Sequence, residues 1–206
     1  MARFYIDFDS TMYDTDKIRN FQVEIVSTLM KYTNLSEDEA TKAVDEARKE
    51  YKKVFDICDA LEEKFQLKSG VVREGVEQFL LRGKENVFDD VEPFLLKLAE
   101  CGHEINILTF TAKEFEYQMI KMKGSGLLKF VDNVFMCSQN KGTLAIDYKN
   151  GIFIDDNPTV LKDLFDAGVD GDRLIRMRRI GAGYSGVEIE DFPVTEVSSF
   201  DEIKNI

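Results

Sequence analysis

One histidine, three cysteines and 27 cations against 39 acids are the scarcities of this 206-residue chain. Each excludes something. His103, the lone histidine, precedes an apolar strand at the end opposite the acidic strand termini described below. It reads as structural, and a histidine-based mechanism has no support. Cys58, Cys101 and Cys137 lie far apart without a CxxC pair, which argues against a disulfide framework or a zinc site and favours a reducing compartment. Each is expected to be a small buried hydrophobe. No run approaches the ~20 apolar residues that span a bilayer. A strand begins within three residues of Met1, with no charged region followed by an apolar run. The formal net charge of −12 has the wrong sign for nucleic-acid backbones and anionic membranes. The expected setting is cytoplasmic, with no nucleic-acid or membrane partner.

What is present is the balance of an ordinary globular protein, 44% hydrophobic and 32% charged, long enough for one large domain or a core with an insertion. RFYIDF (3–8) reads as a buried strand. Helical spacing follows at Ile18, Phe21, Ile25, Leu29 and Tyr32. Ser36 and Glu39 form a capping-box start. From there Val44, Ala47, Tyr51, Val54, Cys58, Leu61 and Phe65 make a heptad-like seam on one helix, which suits packing within its own domain or a homodimer. A third helical pattern follows Ser69–Gly70. From residue 87 the character changes. Helices over 91–101, 113–123 and 159–168 alternate with strands at 104–110, 131–137, 151–156 and 173–177. That alternation predicts a Rossmann-like parallel sheet covered on both faces, an α/β core. The expected domains are a core of 1–14 and 86–206 and an all-helical insertion of 15–85.

Open parallel sheets bind ligands at the carboxyl ends of their strands. There the sequence places Asp7 and Asp9, then Thr109, then Lys141, then Asp155 and Asp156. A carboxylate can attack phosphorus and divide a hard hydrolysis into two easier steps. A second carboxyl group can protonate the leaving oxygen and then deprotonate water. A lysine and a hydroxyl can steady phosphoryl oxygens. Magnesium, bound by carboxylates and phosphate, would screen the acids. Taken singly these residues are also ordinary turn, cap and surface residues; converging on four strand ends, they point to a phosphoryl site.

DFDST (7–11), the strand ending in Thr109, the Lys141 loop and IDDNP (154–158) resemble the four motifs of haloacid dehalogenase-like (HAD) hydrolases, in the family's order. The helical insertion resembles the family's cap, which closes over substrate and selects it. The resemblance implies Asp7 as nucleophile and Asp9 as general acid and base. It implies Mg2+ held by Asp7, Asp156 and the Asp9 carbonyl with Asp155 in support, Thr109 on the phosphoryl group and Lys141 as its cation. Asp9 marks phosphatases and phosphomutases of the family and is absent from its dehalogenases. The implied activity is a phosphatase acting on a small phosphorylated metabolite. A phosphomutase and a regulatory module without turnover remain open, as do monomer and homodimer. Ser10 stands where the family usually has glycine, Gly142 follows Lys141 where proline is frequent, Val160 replaces a common acid, and Lys149 rivals Lys141.

Three further features read as peripheral. GAGYSG (181–186) fits GxGxxG, but acidic VEIEDFP follows where a helix would have to begin, so it reads as a surface turn. Arg176, Arg178 and Arg179 read as a solvated edge or an aid to anionic substrates. Tyr13, Lys17 and Arg19 are candidate substrate contacts or solvent-facing residues.

Overall fold

The computed structural model describes residues 1–111, 114–138, 140–143, 148–189 and 191–204. Its sheet comprises β1 (Arg3–Ile6), β2 (Glu104–Phe110), β3 (Asn133–Cys137), β4 (Ile152–Asp155), β5 (Leu174–Met177) and β6 (Thr195–Val197). The spatial order is β3-β2-β1-β4-β5-β6, and every pairing is parallel. β1 lies inside the sheet, with Phe4 opposite Ile105 on one side and Ile152 on the other. That placement explains an apolar run without alternation, because both faces of the strand are covered.

On one face Tyr5 stacks on Phe153 with ring centroids 5.0 Å apart. Leu161 and Leu164, from the helix Pro158–Asp166, join the same cluster. Burying each of those leucines contributes about 1.5–3 kcal/mol. Phe4 meets Phe94 edge-on, and Phe94 stacks on Phe200. Asn157 caps the helix Pro158–Asp166 by accepting from the Thr159 amide, and Pro158 occupies its first turn. His103 accepts a hydrogen bond from the Ala2 amide through Nδ1 and lies against Phe4, a structural placement. Cys58 and Cys137 are buried, whereas Cys101 is exposed, contrary to expectation; it caps the helix Val91–Glu100 at its C-terminal end.

The chain divides into two compact units. One holds Met1–Asp16, Asn86–Phe115 and Gly126–Ile206; the other holds Lys17–Glu85 together with Glu116–Ser125. In the second unit, helices span Phe21–Tyr32, Glu37–Glu50, Val54–Lys64 and Val71–Leu81. The capping box at Ser36 and Glu39 is present. The seam expected on one long helix is broken: Tyr51 adopts an extended backbone and a new helix begins at Val54. Val44, Val54, Cys58 and Leu61 nevertheless bury their side chains in the core of this same unit. The helix Val71–Leu81 starts from Gly70, which has no capping side chain. Buried Glu62 supplies one from a neighbouring helix, accepting from the Gly70, Val72 and Arg73 amides. The helix expected at 113–123 runs from Phe115 to Ser125, and Lys113 lies outside the described residues. Gly124 lets this helix approach the Leu80 carbonyl more closely than any side chain would permit.

β6 was not expected. Its residues Thr195 and Glu196 are exposed, and only Val197 is buried, so no apolar run announces it. Among the described residues, no helix is long and apolar enough to cross a membrane.

Candidate functional site

The chain leaves β1 for β2 on one side of the sheet and reaches β4 on the other, so strand order reverses beside β1. In open parallel sheets that reversal opens a crevice at the strands' carboxyl ends. The Asp7 amide donates to the Ile154 carbonyl at 2.8 Å, holding Asp7 beside β4 just past the end of β1. Asp155 ends β4 and Asp156 follows it. Asp7, Asp155 and Asp156 are all buried, and one oxygen from each lies within 4.8 Å of the others.

Lys141 joins them. It is 3% exposed, and its Nζ donates to Asp7 Oδ1 at 2.5 Å and to Asp155 Oδ2 at 2.7 Å. The other Asp155 oxygen accepts from the Asn157 amide. Lys141 is itself placed by a turn in which the Asn140 carboxamide accepts from the Gly142 amide and donates to Asp163. Lys149, the rival lysine, is exposed. Thr109 is fully buried in β2 and lines the same cavity.

One ammonium faces three buried carboxylates. Burial, then the charges of Asp7 and Asp155, push the Asp156 carboxyl up to about 9. Burial also raises Asp7, to about 7, against the opposing pull of Lys141. For Lys141, desolvation works against the charged form, but Asp155 and Asp7 outweigh it and hold the ammonium above its ordinary range. Three carboxyl groups thus share one ammonium, and burial with mutual repulsion opposes their full ionisation unless a further cation joins them. Oxygen-only donors, clustered and mutually repelling, fit a hard divalent cation.

Asp9 is held differently. Its Oδ1 accepts from the Thr15 hydroxyl at 2.7 Å. Between Asp7 and Thr15 the chain makes a tight turn. The Met12 and Tyr13 amides donate to the Phe8 carbonyl, and the Ser10 amide donates to the Tyr13 carbonyl. Ser10 pivots this turn with φ 59°, a left-handed conformation that glycine adopts without strain. Tyr13 is 0% exposed, stacked on Phe8 and accepting from Asn86 through its hydroxyl. It is neither a substrate contact nor solvent-facing. Lys17 is exposed, and the Arg19 side chain lies outside the described residues.

The arginine run is not a solvated edge. Arg179 is buried, forks onto both oxygens of Asp90, and donates to the Thr11 carbonyl through Nε and Nη2. It thereby ties the Asp9-bearing turn to the core. Arg176 is 0% exposed and stands beside Asp155 in the sheet register. Its Nη2 donates to the Tyr184 carbonyl at 2.7 Å, while Arg178 Nε donates to the next carbonyl, that of Ser185, at 2.6 Å. GAGYSG begins no helix, as its acidic continuation implied. It is a pinned turn, and Tyr184 enters the cavity wall.

That cavity encloses about 430 Å3, within the range of small-ligand sites. Asp7, Asp9, Thr109, Lys141, Asp155 and Asp156 all line it; Phe110, Val160 and Tyr184 add an apolar side. Sequence reasoning missed Phe110 and Tyr184. The only signal for Tyr184 was an arginine cluster in an acidic protein, seven residues or so upstream.

No family model matches the sequence, and no curated protein does. Solved structures share the fold. A HAD phosphatase from Thermococcus onnurineus is 18% identical, with TM-score 0.64 over 98% of this chain and 95% of that one. A HAD hydrolase from Bacillus subtilis, bound to magnesium, is 14% identical, with TM-score 0.57 over 98% and 96%. An L-2-haloacid dehalogenase from Xanthobacter autotrophicus with covalently bound chloropropionic acid is 13% identical, with TM-score 0.53 over 97% and 96%. The fold is HAD-like, and it hosts more than one reaction.

Proposed function

We propose that this protein is a magnesium-dependent phosphatase that hydrolyses a small phosphate monoester through an aspartyl-phosphate on Asp7. The observation that carries the reading is the division of the acids into two differently held sets. Asp7 is locked by Lys141 among metal-type carboxylates, whereas Asp9 hangs on a hydroxyl at the same cavity. A nucleophile and a proton carrier need that separation.

In the first step an Asp7 carboxylate oxygen bonds to phosphorus and the phosphorus–oxygen bond to the leaving group breaks. Asp9 gives its proton to the departing oxygen. In the second step Asp9 takes a proton from water, the water oxygen bonds to phosphorus, and the acyl-phosphate bond breaks to restore Asp7. Lys141 fixes the Asp7 rotamer and offers positive charge to the phosphoryl oxygens, and Thr109 offers them its hydroxyl. Asp7, Asp156 and the Asp9 carbonyl would hold Mg2+, with Asp155 supporting them. When bound, the ion neutralises the carboxylates and draws charge from the phosphoryl group. The Bacillus neighbour solved with magnesium supports that choice. The second carboxylate, Asp9, favours phosphoryl transfer over dehalogenation.

Phosphate release from an aryl phosphate should require magnesium and vanish in Asp7→Asn. Acid-quenched wild type should carry one phosphoryl group on the peptide containing Asp7. No turnover across a wide panel of phosphomonoesters with magnesium present would overturn the proposal.

A further inference from the structure

Resting on that reading, we infer that the substrate's leaving group is flat and apolar, carries no second anionic group, and is recognised by the cavity-lining side chains of Phe110 and Tyr184. The two rings are the large apolar side chains of the cavity lining that remain well exposed, 52% for Phe110 and 41% for Tyr184. Aromatic side chains open to a small-ligand cavity are the usual means of gripping a flat apolar group there. Val160, where the resembled family commonly has an acid, extends the same apolar wall.

Tyr184 is held in place by built structure. Arg176 is a fully buried cation whose Nε has no hydrogen-bond partner among the described residues. Its carboxylate contact, Glu196 Oε1, lies 3.4 Å away, longer than its 2.7 Å bond to the Tyr184 carbonyl. Burying a guanidinium so poorly compensated is costly. With Arg178 on the Ser185 carbonyl, it holds the two successive peptides that follow Tyr184. An aromatic side chain on a pinned turn loses little entropy when it stacks on a ligand.

Charge sets the other half of the specificity. Among the described residues lining the cavity, Lys141 is the only cation, and Asp7 and Asp155 already occupy it. Asp163 adds a carboxylate to the lining. A second phosphate or a carboxylate on the substrate would find no uncommitted cation among the described residues of this lining, and would face Asp163 as well. The favoured class is therefore an aryl or comparably flat, uncharged phosphate monoester, and bisphosphates and phosphorylated acids are disfavoured.

The test compares 2-naphthyl phosphate, 4-carboxyphenyl phosphate and glycerol 2-phosphate, read through KM because their leaving groups differ in acidity. Wild type should show a KM for 2-naphthyl phosphate about tenfold below both others. In Tyr184→Ala that advantage should disappear, in Tyr184→Phe it should persist, and in Arg176→Met it should shrink as the turn is released. Near-ultraviolet circular dichroism confirms that each variant is folded. Equal KM values, or preference for the carboxylated or polyol ester, would overturn the inference while leaving the phosphatase reading intact. Calorimetry with naphthylphosphonate and methylphosphonate supplies a readout without turnover. Tighter binding of the naphthyl compound, lost in Tyr184→Ala, upholds the inference even if no ester is hydrolysed; equal affinity refutes it.

Discussion

Arg179 and Asp90 face each other as a two-pronged pair, Nη1 to Oδ2 and Nη2 to Oδ1, both at 2.8 Å. Their partners make the pair a hub: Asp90 also accepts from the Ser199 hydroxyl and the Phe200 amide, and Arg179 lies over the Phe88 ring. Arg179→Met should cost about 3–5 kcal/mol, because it strands a largely buried carboxylate. Arg179→Lys should recover only part of this, since an ammonium cannot reproduce the fork. Urea denaturation measures both. Equal stability of all three proteins would show that the Thr11 turn is held by other means.

The metal-free protein should lose stability as pH rises from about 4 to 9. Asp7 and Asp156 have folded-state values of about 7 and about 9, above the roughly 3.9 of an unfolded aspartate. The folded state thus binds more protons in that interval, and its advantage, full below the unfolded value, fades through the two folded values. Magnesium should reverse the trend at high pH, where the carboxylates are free to bind it. Thermal melts across pH in chelator and in magnesium give the answer; parallel curves would contradict a metal at these carboxylates.

Ser10→Gly should stabilise the protein. A left-handed non-glycine residue costs on the order of 1–2 kcal/mol, and part of the gain returns to the freer unfolded chain. The expected net is roughly 0.5–1 kcal/mol, seen as a rise of about 2 °C in Tm. A fall in Tm would mean that the serine hydroxyl, which borders the cavity, contributes more than its backbone strain.

Gly124→Ala should destabilise the helical unit. Its Cβ would lie 1.9 Å from the Leu80 carbonyl oxygen and 2.8 Å from the Leu81 Cα. Backbone atoms cannot swing aside, so the helix must shift, at a cost of roughly 3 kcal/mol or more. A chemical melt within experimental error of wild type would show that the two helices separate easily.

The features that could be read from the sequence are those with a local cause. The apolar runs of β1, β2 and β4, the Ser36 capping box and the Asn157–Pro158 helix start all declare themselves within a few residues. The order of elements then brings Asp7, Thr109, Lys141 and Asp155 to one sheet edge. What escaped depends on partners far along the chain. Arg176 looked solvent-facing because the carbonyl it needs belongs to Tyr184, across an irregular turn. The seam over 44–65 looked like one helix because its spacing survives a break at Tyr51 that the three- and four-residue steps do not register. β6 escaped because two of its three side chains are exposed.

β1 carries the chain that leads into Asp7 through the middle of the sheet, yet both of its neighbours lie far downstream. Phe4 must wait for Ile105 and Ile152. At ~5–20 residues per second, the ribosome needs roughly 5–20 s to deliver the first of them. During that interval FYIDF is an unpaired, aggregation-prone segment whose burial depends on strands still unmade. Codon speed and chaperone supply, which leave the finished fold untouched, should therefore govern how much active protein a cell recovers.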